Sequence, residues 1–106
     1  MSFDPSKIAQ MMQQAQSMQQ KMMADLENKK VEAQAGGGMV TCTMNGAMKI
    51  ISLKIDPAVV DANDVSMLED LVRAAVNDAT NRVEELRMSQ AQSMAGQLGL
   101  PTDGLF

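Results

Sequence analysis

Residues 31–57, VEAQAGGGMVTCTMNGAMKIISLKIDP, contain the pattern that decides the fold of this chain. Apolar and polar residues alternate in three short runs, which is the period of a β-strand with one buried face. The runs are separated by Gly36-Gly37-Gly38 and by Asn45-Gly46, and the third run ends at Asp56-Pro57. Asn-Gly between two alternating runs is the strongest short signal for a hairpin. This stretch therefore predicts a three-stranded antiparallel β-meander over residues 31–56.

Two-residue turns at Gly36-Gly37 and Asn45-Gly46 predict the register of the meander. They place Val40 opposite Ala33 on the first strand and opposite Ile51 on the third. Both hairpins then agree on one core face, which carries Val31, Ala33, Val40, Cys42, Met44, Ile51, Leu53 and Ile55. Three more apolar residues are predicted on the opposite face: Met39, Met48 and Ile50. We therefore expect a helix or a second subunit to cover part of that face.

A long amphipathic helix is predicted on each side of the meander. Asp4-Pro5 supplies an N-cap acceptor and a proline at the first helical position, and helical periodicity continues to about Lys30. A second helical pattern begins at Val65 and weakens towards the glycine at position 96. The chain is therefore predicted to be one α+β domain, with a helix over 5–30, the meander over 31–56, a helix over 65–95 and a tail over 96–106.

The first helix carries an apolar stripe made mostly of methionine. Its members recur every three or four positions: Ile8, Met11, Met12, Ala15, Met18, Met22 and Leu26. We interpret the stripe as a packing seam, because a Met-based metal site would lack His or Cys partners. A helix of about 25 residues spans roughly 40 Å, against roughly 23 Å for a seven-residue strand. Both helices are therefore expected to extend beyond the sheet, where their apolar stripes need each other or a second chain.

The composition excludes most catalytic chemistry. The 106 residues include no His, Trp or Tyr, only one Cys and twelve Met. Without His there is no Ser-His-Asp triad and no His-ligated metal, and the single Cys42 excludes a multi-Cys metal cage. We predict a protein that is not an enzyme and has no cofactor, metal ion or small-molecule substrate. No apolar run approaches the roughly 18 residues of a membrane span, so neither a membrane partner nor a signal peptide is expected.

The net charge of −4 is unlike the basic balance that is typical of nucleic-acid-binding proteins. The parts of the helices that extend beyond the sheet nevertheless carry Lys7, Lys21, Arg82 and Arg87. These residues either form a solvated face with helical ion pairs, such as Asp78–Arg82, or bind an anionic partner locally. Charge alone leaves both interpretations open.

Several motifs occur in a fixed order along nearly the whole chain. They are GGGMV at 36–40, MNG at 44–46 and LKIDP at 53–57, followed by LEDLVRAAVNDA at 68–79 and GLP at 99–101. This ordered set resembles the YbaB/EbfC family of bacterial nucleoid-associated proteins. The resemblance implies a tweezers-like homodimer that grips duplex DNA with projecting helices. It also implies a role in chromosome organisation and gene regulation, and a cytoplasmic location at the nucleoid.

The resemblance suggests which residues bind DNA, and apolar residues of the meander and the first helix are candidates for the dimer interface or the core. The candidate DNA-binding residues are Lys7, Lys21, Arg82, Arg87, Gln13 and Gln14, of which Lys21 and the two arginines are expected to contact phosphates. The candidate residues of the dimer interface or core are Val40, Met39, Ile50, Ile51, Leu53 and Met22. An alternative is a dimeric protein–protein adaptor with a Met-rich helix and no direct role at DNA.

Overall fold

The computed structural model of the protein describes residues 4–97. The elements are α1 (Pro5–Asn28), β1 (Lys30–Ala35), β2 (Val40–Asn45), β3 (Ile50–Ile55), a 3-10 turn (Pro57–Val59) and α2 (Val65–Gln97). The strands form one antiparallel sheet in the order β1-β2-β3. The predicted α+β class, a meander between two long helices, is confirmed. Residues 96 and 97 continue α2, and the rest of the predicted tail lies outside the described residues.

Hydrogen bonds from Ser6 cap the start of α1 as the sequence predicts. The Asp4 carboxylate accepts from the Ser6 backbone N–H at 3.0 Å and from the Ser6 hydroxyl at 2.8 Å. Both hydrogen bonds favour the ionised carboxylate, so they hold the pKa of Asp4 below its ordinary value. The helix ends at Asn28, two residues earlier than predicted, because Lys30 already belongs to β1.

The predicted two-residue turns are wrong, since both hairpin loops contain four residues. Val40 lies opposite Ala35 on β1 and opposite Ile55 on β3, instead of opposite Ala33 and Ile51. The loops are accordingly residues 36–39 and 46–49. Both pairings of Val40 differ from the prediction by an even number of residues. Side chains alternate with a period of two along a strand, so the predicted core face survives the change of register on β1 and β2.

A β-bulge changes the parity at the start of β3. The register shifts between Thr43 and Met44, so that Thr43 lies opposite Ser52 while Met44 lies opposite Ile50. Directly opposite residues share a face of the sheet. Ile50 is therefore on the side of Met44, and its predicted position on the opposite face is wrong.

The core lies between one face of the sheet and α2. The buried apolar residues of this core are Ala33, Val40, Cys42 and Met44 from the strands, Val59 from the 3-10 turn, and Ala75, Ala79 and Val83 from α2. Cys42 is fully buried, as predicted, and burial raises the pKa of its thiol. α2 packs against β1 and β2, which leaves most of β3 exposed.

The molecule is strongly elongated. Its radius of gyration is 20.3 Å and it extends over 74 × 29 × 18 Å, whereas a compact domain of this size has a radius of gyration of about 13 Å. The 24 residues of α1 and the 33 of α2 give lengths of about 36 and 50 Å, against about 20 Å for a six-residue strand. Both helices therefore extend beyond the sheet. No helix within residues 4–97 is long and apolar enough to cross a membrane.

Candidate nucleic-acid interface

The first helix stands away from the rest of the molecule. Every residue of α1 from Pro5 to Lys21 is exposed, and only Met22 and Leu26, near its end, are half-buried. We call residues 5–24 the α1 arm. Near its end the arm borders residues 90–94 of α2 across a shallow cleft, and the rest of its surface is accessible to a partner.

The charges of the α1 arm have a single sign. It carries Lys7, Lys21 and six glutamines, and it contains no Asp or Glu. Residues 86–97 of α2 likewise carry one charged side chain, that of Arg87. Together these two segments have a charge of +3, so the rest of the chain carries −7, the difference from the net charge of −4. A cationic region therefore exists inside an acidic protein.

The two cationic segments are neighbours in space. Gln90 on α2 accepts a hydrogen bond from Lys29 Nζ at 3.4 Å and donates one to the Asp25 carboxylate at 3.4 Å, close to the end of α1. The start of α2 is 25 residues away from Gln90, or about 38 Å along the helix. Several acidic residues gather around that opposite end: Asp56, Asp61, Asp64, Glu69 and Asp70. The molecule is thus polarised along its length.

The α1 arm has two distinct faces. Helical spacing places one polar set on the same side, namely Lys7, Gln10, Gln13, Gln14, Ser17, Gln20 and Lys21. Most of these residues line one shallow groove along the helix, and Gln16 and Met18 complete its lining. The other side carries exposed apolar residues: Ile8, Met11, Met12, Met18 and Met23. Ammonium groups and amides on one face match the phosphates and groove edges of nucleic acid.

The structure separates the predicted DNA-binding residues into two groups. Lys7 and Lys21 share the polar face of the α1 arm with Gln13 and Gln14, and neither lysine forms an ion pair with any residue of the described range 4–97. Arg82 lies on α2, where its Nε donates to the Asp78 carboxylate at 3.1 Å.

Arg87 is engaged differently from the other candidate residues. It lies on α2 near the end of α1, and its Nε donates to the Gly46 carbonyl oxygen at 2.8 Å. Arg82 and Arg87 thus already have partners inside the chain, whereas the two lysines of the α1 arm face solvent.

The exposed face of β3 forms an apolar surface beside the core. Leu53 lies opposite the buried Cys42, and Ile55 lies opposite the buried Val40, yet they remain 41% and 37% exposed. Ile50, Ile51 and Val60 extend this surface, which we call the β3 surface. Such an apolar edge strand is normally covered by another segment or chain.

The candidate residues for the dimer interface or core divide between the interior and the β3 surface. Val40 is fully buried, and Met39 and Met22 are half-buried. Ile50, Ile51 and Leu53 lie on the β3 surface, together with Ile55 and Val60, which the sequence analysis did not include in this set.

The separation of charge along the molecule was not among the features predicted from the sequence. Residues 1–35 balance four lysines against four acids, and this balance concealed the acid-free stretch from Pro5 to Ala24. The absence of Asp and Glu from that stretch could nevertheless have indicated a cationic segment from the sequence alone.

No group of three His, Cys, Asp or Glu side chains suited to a metal ion occurs among the described residues.

Comparison with known proteins gives a consistent result. The model of the YbaB/EbfC DNA-binding family matches residues 4–98. A nucleoid-associated protein of Acidobacterium capsulatum is 47% identical over 97% of this chain and 99% of its own length. A nucleoid-associated protein of Thermoanaerobacter sp. is 48% identical over 93% of this chain and 90% of its own length.

The fold also resembles a solved structure. The crystal structure of an uncharacterized protein from Helicobacter pylori matches with a TM-score of 0.72 and 24% identity, covering 88% of this chain and 98% of that one. This likeness shows the arrangement of helices and strands alone. The family model matches most of the chain, and the two relatives are 47% and 48% identical over more than nine-tenths of it. The chain belongs to the YbaB/EbfC DNA-binding family.

Proposed function

We propose that this protein is a nucleoid-associated protein without catalytic activity, which binds duplex DNA as a homodimer through its projecting helices. The observation that carries the proposal is the charge of +3 on residues 5–24 and 86–97, against −7 on the rest of the chain. DNA attracts the cationic region and repels the acidic remainder, so the protein approaches with its arm first. The proposed role is to organise the chromosome at the nucleoid and to modulate gene expression.

The polar face of the α1 arm supplies the proposed contacts. Lys7 and Lys21 are separated by 14 residues, or about 21 Å along the helix, which corresponds to roughly six base pairs of duplex. Gln13 and Gln14, between them, offer neutral hydrogen bonds to phosphate oxygens or groove edges. The remaining N–H groups of Arg82 and Arg87 are proposed as additional phosphate contacts. A few such contacts suffice in a protein whose net charge is negative.

The proposed homodimer uses the β3 surface. Leu53 and Ile55 continue the face that α2 covers over the other two strands, so the core of one chain ends at an open apolar edge. A second copy carries the same surface, and two such surfaces meet around a two-fold axis. The homodimer then presents two α1 arms to DNA.

Binding of a labelled duplex, measured by fluorescence anisotropy at low salt, tests the DNA-binding proposal. We expect the protein to bind and Lys21→Glu to weaken binding severalfold. Lys49→Glu, a matched exposed lysine in the loop of residues 46–49, is expected to have a smaller effect. Equal effects of the two charge reversals would contradict the role of the α1 arm, and absence of any duplex binding would contradict the function itself.

Light scattering tests the proposed homodimer. Leu53→Lys places a charge in the middle of the β3 surface and is expected to yield monomers. Met88→Lys is the matched control, because Met88 is 51% exposed on α2 and lies outside the β3 surface. A Leu53→Lys protein that keeps the mass of a dimer would assign the interface to another surface.

The adaptor function is favoured by a different observation. Met11, Met12 and Met18 are exposed along the apolar face of the α1 arm, and Met-rich surfaces adapt to varied protein partners. Affinity purification after nuclease treatment distinguishes the two functions. Recovery of protein partners, with no binding to purified duplex DNA, would favour the adaptor.

A further inference from the structure

We propose that Gly46 and Arg87 are positioning residues that set the direction of the α1 arm. Together with Leu26, Lys29 and Asn45 they form a small set of contacts, which we call the joint. Arg87 acts there through the hydrogen bond of its Nε and not through its charge. The proposed effect on the direction of the arm follows from these contacts alone. The consequence for DNA binding rests on the proposed function.

The end of α1 has its own cap, in which the Lys29 N–H donates to the Leu26 carbonyl oxygen at 3.2 Å, and it is also bound by one backbone N–H of the β2–β3 loop. The Gly46 N–H donates to the Leu26 carbonyl oxygen at 2.9 Å and to the Lys29 carbonyl oxygen at 3.0 Å. The last carbonyl groups of a helix lack partners within the helix and need others. Gly46 supplies that donor from the β2–β3 loop, 20 residues beyond Leu26.

Only glycine leaves room for this approach. A Cβ atom on Gly46 would lie 2.5 Å from the Leu26 carbonyl oxygen and 3.1 Å from the Leu26 carbonyl carbon, both of which are backbone atoms. The φ angles of Gly36, Gly37 and Gly38 are positive, but Gly46 is not in that region. The requirement at Gly46 is therefore the space for α1, and not the conformation of a turn.

The same residue is tied to α2 on its other side. The Gly46 carbonyl oxygen accepts from Arg87 Nε at 2.8 Å. The loop itself is stiffened by the buried Asn45, whose side-chain oxygen accepts from the N–H groups of Ala47 at 3.0 Å and Lys49 at 3.1 Å. Gly46 thus links α1 through its N–H and α2 through its carbonyl.

Apart from the connection through Lys29 to β1 and the cleft shared by Met22 and Met94, few contacts fix the direction of the α1 arm. Residues 5–21 are all exposed, and the side-chain contacts of Gln90 with Asp25 and Lys29 are long, at 3.4 Å each. The helix acts as a lever of about 36 Å, so a rotation of 10° at the joint moves its far end by about 6 Å. This displacement exceeds the axial spacing of successive phosphates on one strand, about 3.4 Å, so a loose joint misaligns the arm on DNA.

A matched pair of substitutions separates the hydrogen bond of Arg87 from its charge. In Arg87→Gln the side-chain amide nitrogen stands at the same position along the side chain as the Arg Nε, so the donor is kept and the charge is lost. Arg87→Met has a similar length and loses both the donor and the charge. Gly46→Ala tests the close approach to Leu26, and Gly96→Ala is its control, because nothing lies within 4 Å of a Cβ there.

The arm direction is measured by double electron–electron resonance between spin labels at Ala9→Cys on the α1 arm and Gln34→Cys on β1, both exposed sites. The native Cys42 does not compete for the label, because it is fully buried. Dilution with unlabelled protein keeps one labelled chain in each dimer. Ala9 is about 29 Å from the end of α1, so each 10° of rotation displaces the label by about 5 Å.

We expect Arg87→Gln to keep the distance distribution of the unsubstituted protein, while Arg87→Met and Gly46→Ala broaden or shift it. Arg87→Met should also weaken DNA binding more than Arg87→Gln does. An Arg87→Met protein with an unaltered distance distribution would overturn the proposal, as would equal disturbance by Met and Gln. If neither the unsubstituted protein nor any variant binds DNA, the proposed function is wrong. The distances between the spin labels still test whether the joint sets the direction of the arm. Circular dichroism confirms that each variant is folded, and the Arg87 pair suffices if Gly46→Ala does not fold.

Discussion

Replacement of Lys7 and Lys21 by glutamine tests the proposal that the α1 arm binds DNA. Both side chains are exposed on the polar face, and glutamine is already the most frequent residue of the arm. The double substitution Lys7→Gln/Lys21→Gln therefore removes charge while the helix and its polar character are retained. The measured quantity is the dependence of duplex affinity on salt, which counts the phosphates that a protein neutralises.

The expected magnitude follows from the number of lysines. Two lysines in each chain of the proposed homodimer make four phosphate contacts, and each contributes about 0.9 to the slope of log affinity against log salt. The substituted protein should therefore lose about 3.6 from that slope. Between 50 and 200 mM salt, the affinity of the unsubstituted protein should fall about 150-fold more than that of the variant.

Fluorescence anisotropy of a labelled duplex over this salt range measures the slope directly. Lys30→Gln/Lys49→Gln is the matched control, because it removes the same charge from two exposed lysines outside the α1 arm. The control should keep nearly the slope of the unsubstituted protein. A Lys7→Gln/Lys21→Gln protein with an unchanged slope would refute the reasoning, since the arm would then neutralise no phosphates.

Three further predictions concern stability. Val83→Ala removes two carbons from a fully buried side chain, and a denaturant titration should show a loss of about 2–3 kcal/mol in the free energy of unfolding. Gly96→Ala and Gly37→Ala both add a methyl group in open space, but only Gly37 has a positive φ, at 67°. The first should stabilise and the second destabilise the protein, each by about 1 kcal/mol in the same titration. For Asp4, hydrogen bonds from Ser6 lower the pKa in the folded state. The stabilisation by this cap is therefore complete above the unfolded pKa and is lost as the pH falls through the folded one. An NMR pH titration of the Ser6 amide should follow this loss, and Asp4→Asn should abolish its pH dependence.

The hairpin prediction shows which part of a fold local sequence can specify. The alternation of apolar and polar residues identified all three strands and put Val40 and Cys42 in the core. The predicted length of the β2–β3 loop was wrong because the Asn45-Gly46 pair also contacts a distant segment, the end of α1. The Gly46 N–H binds the end of α1, and the Asn45 side chain caps the loop amides. A pattern read over ten residues contains no information about Leu26, which is the partner that determines the role of Gly46.

The candidate site could also be predicted only in part, because only its local features can be recognised in the sequence. Lys7, Lys21, Gln13 and Gln14 could be assigned to one helix, since helical periodicity is a local property. The distribution of charge could not be assigned from the net value, because it depends on which segments the fold brings together. Residues 86–97 add positive charge beside the α1 arm only because α2 runs past the sheet to the end of α1. There the side chain of Gln90 forms hydrogen bonds with Lys29 and Asp25. The same topology carries the acids of the α2 start to the far end of the molecule. A net charge of −4 is therefore compatible with the proposed DNA-binding arm: the acids around the start of α2 lie several Debye lengths from it, while Asp4, Asp25 and Glu27 border it directly.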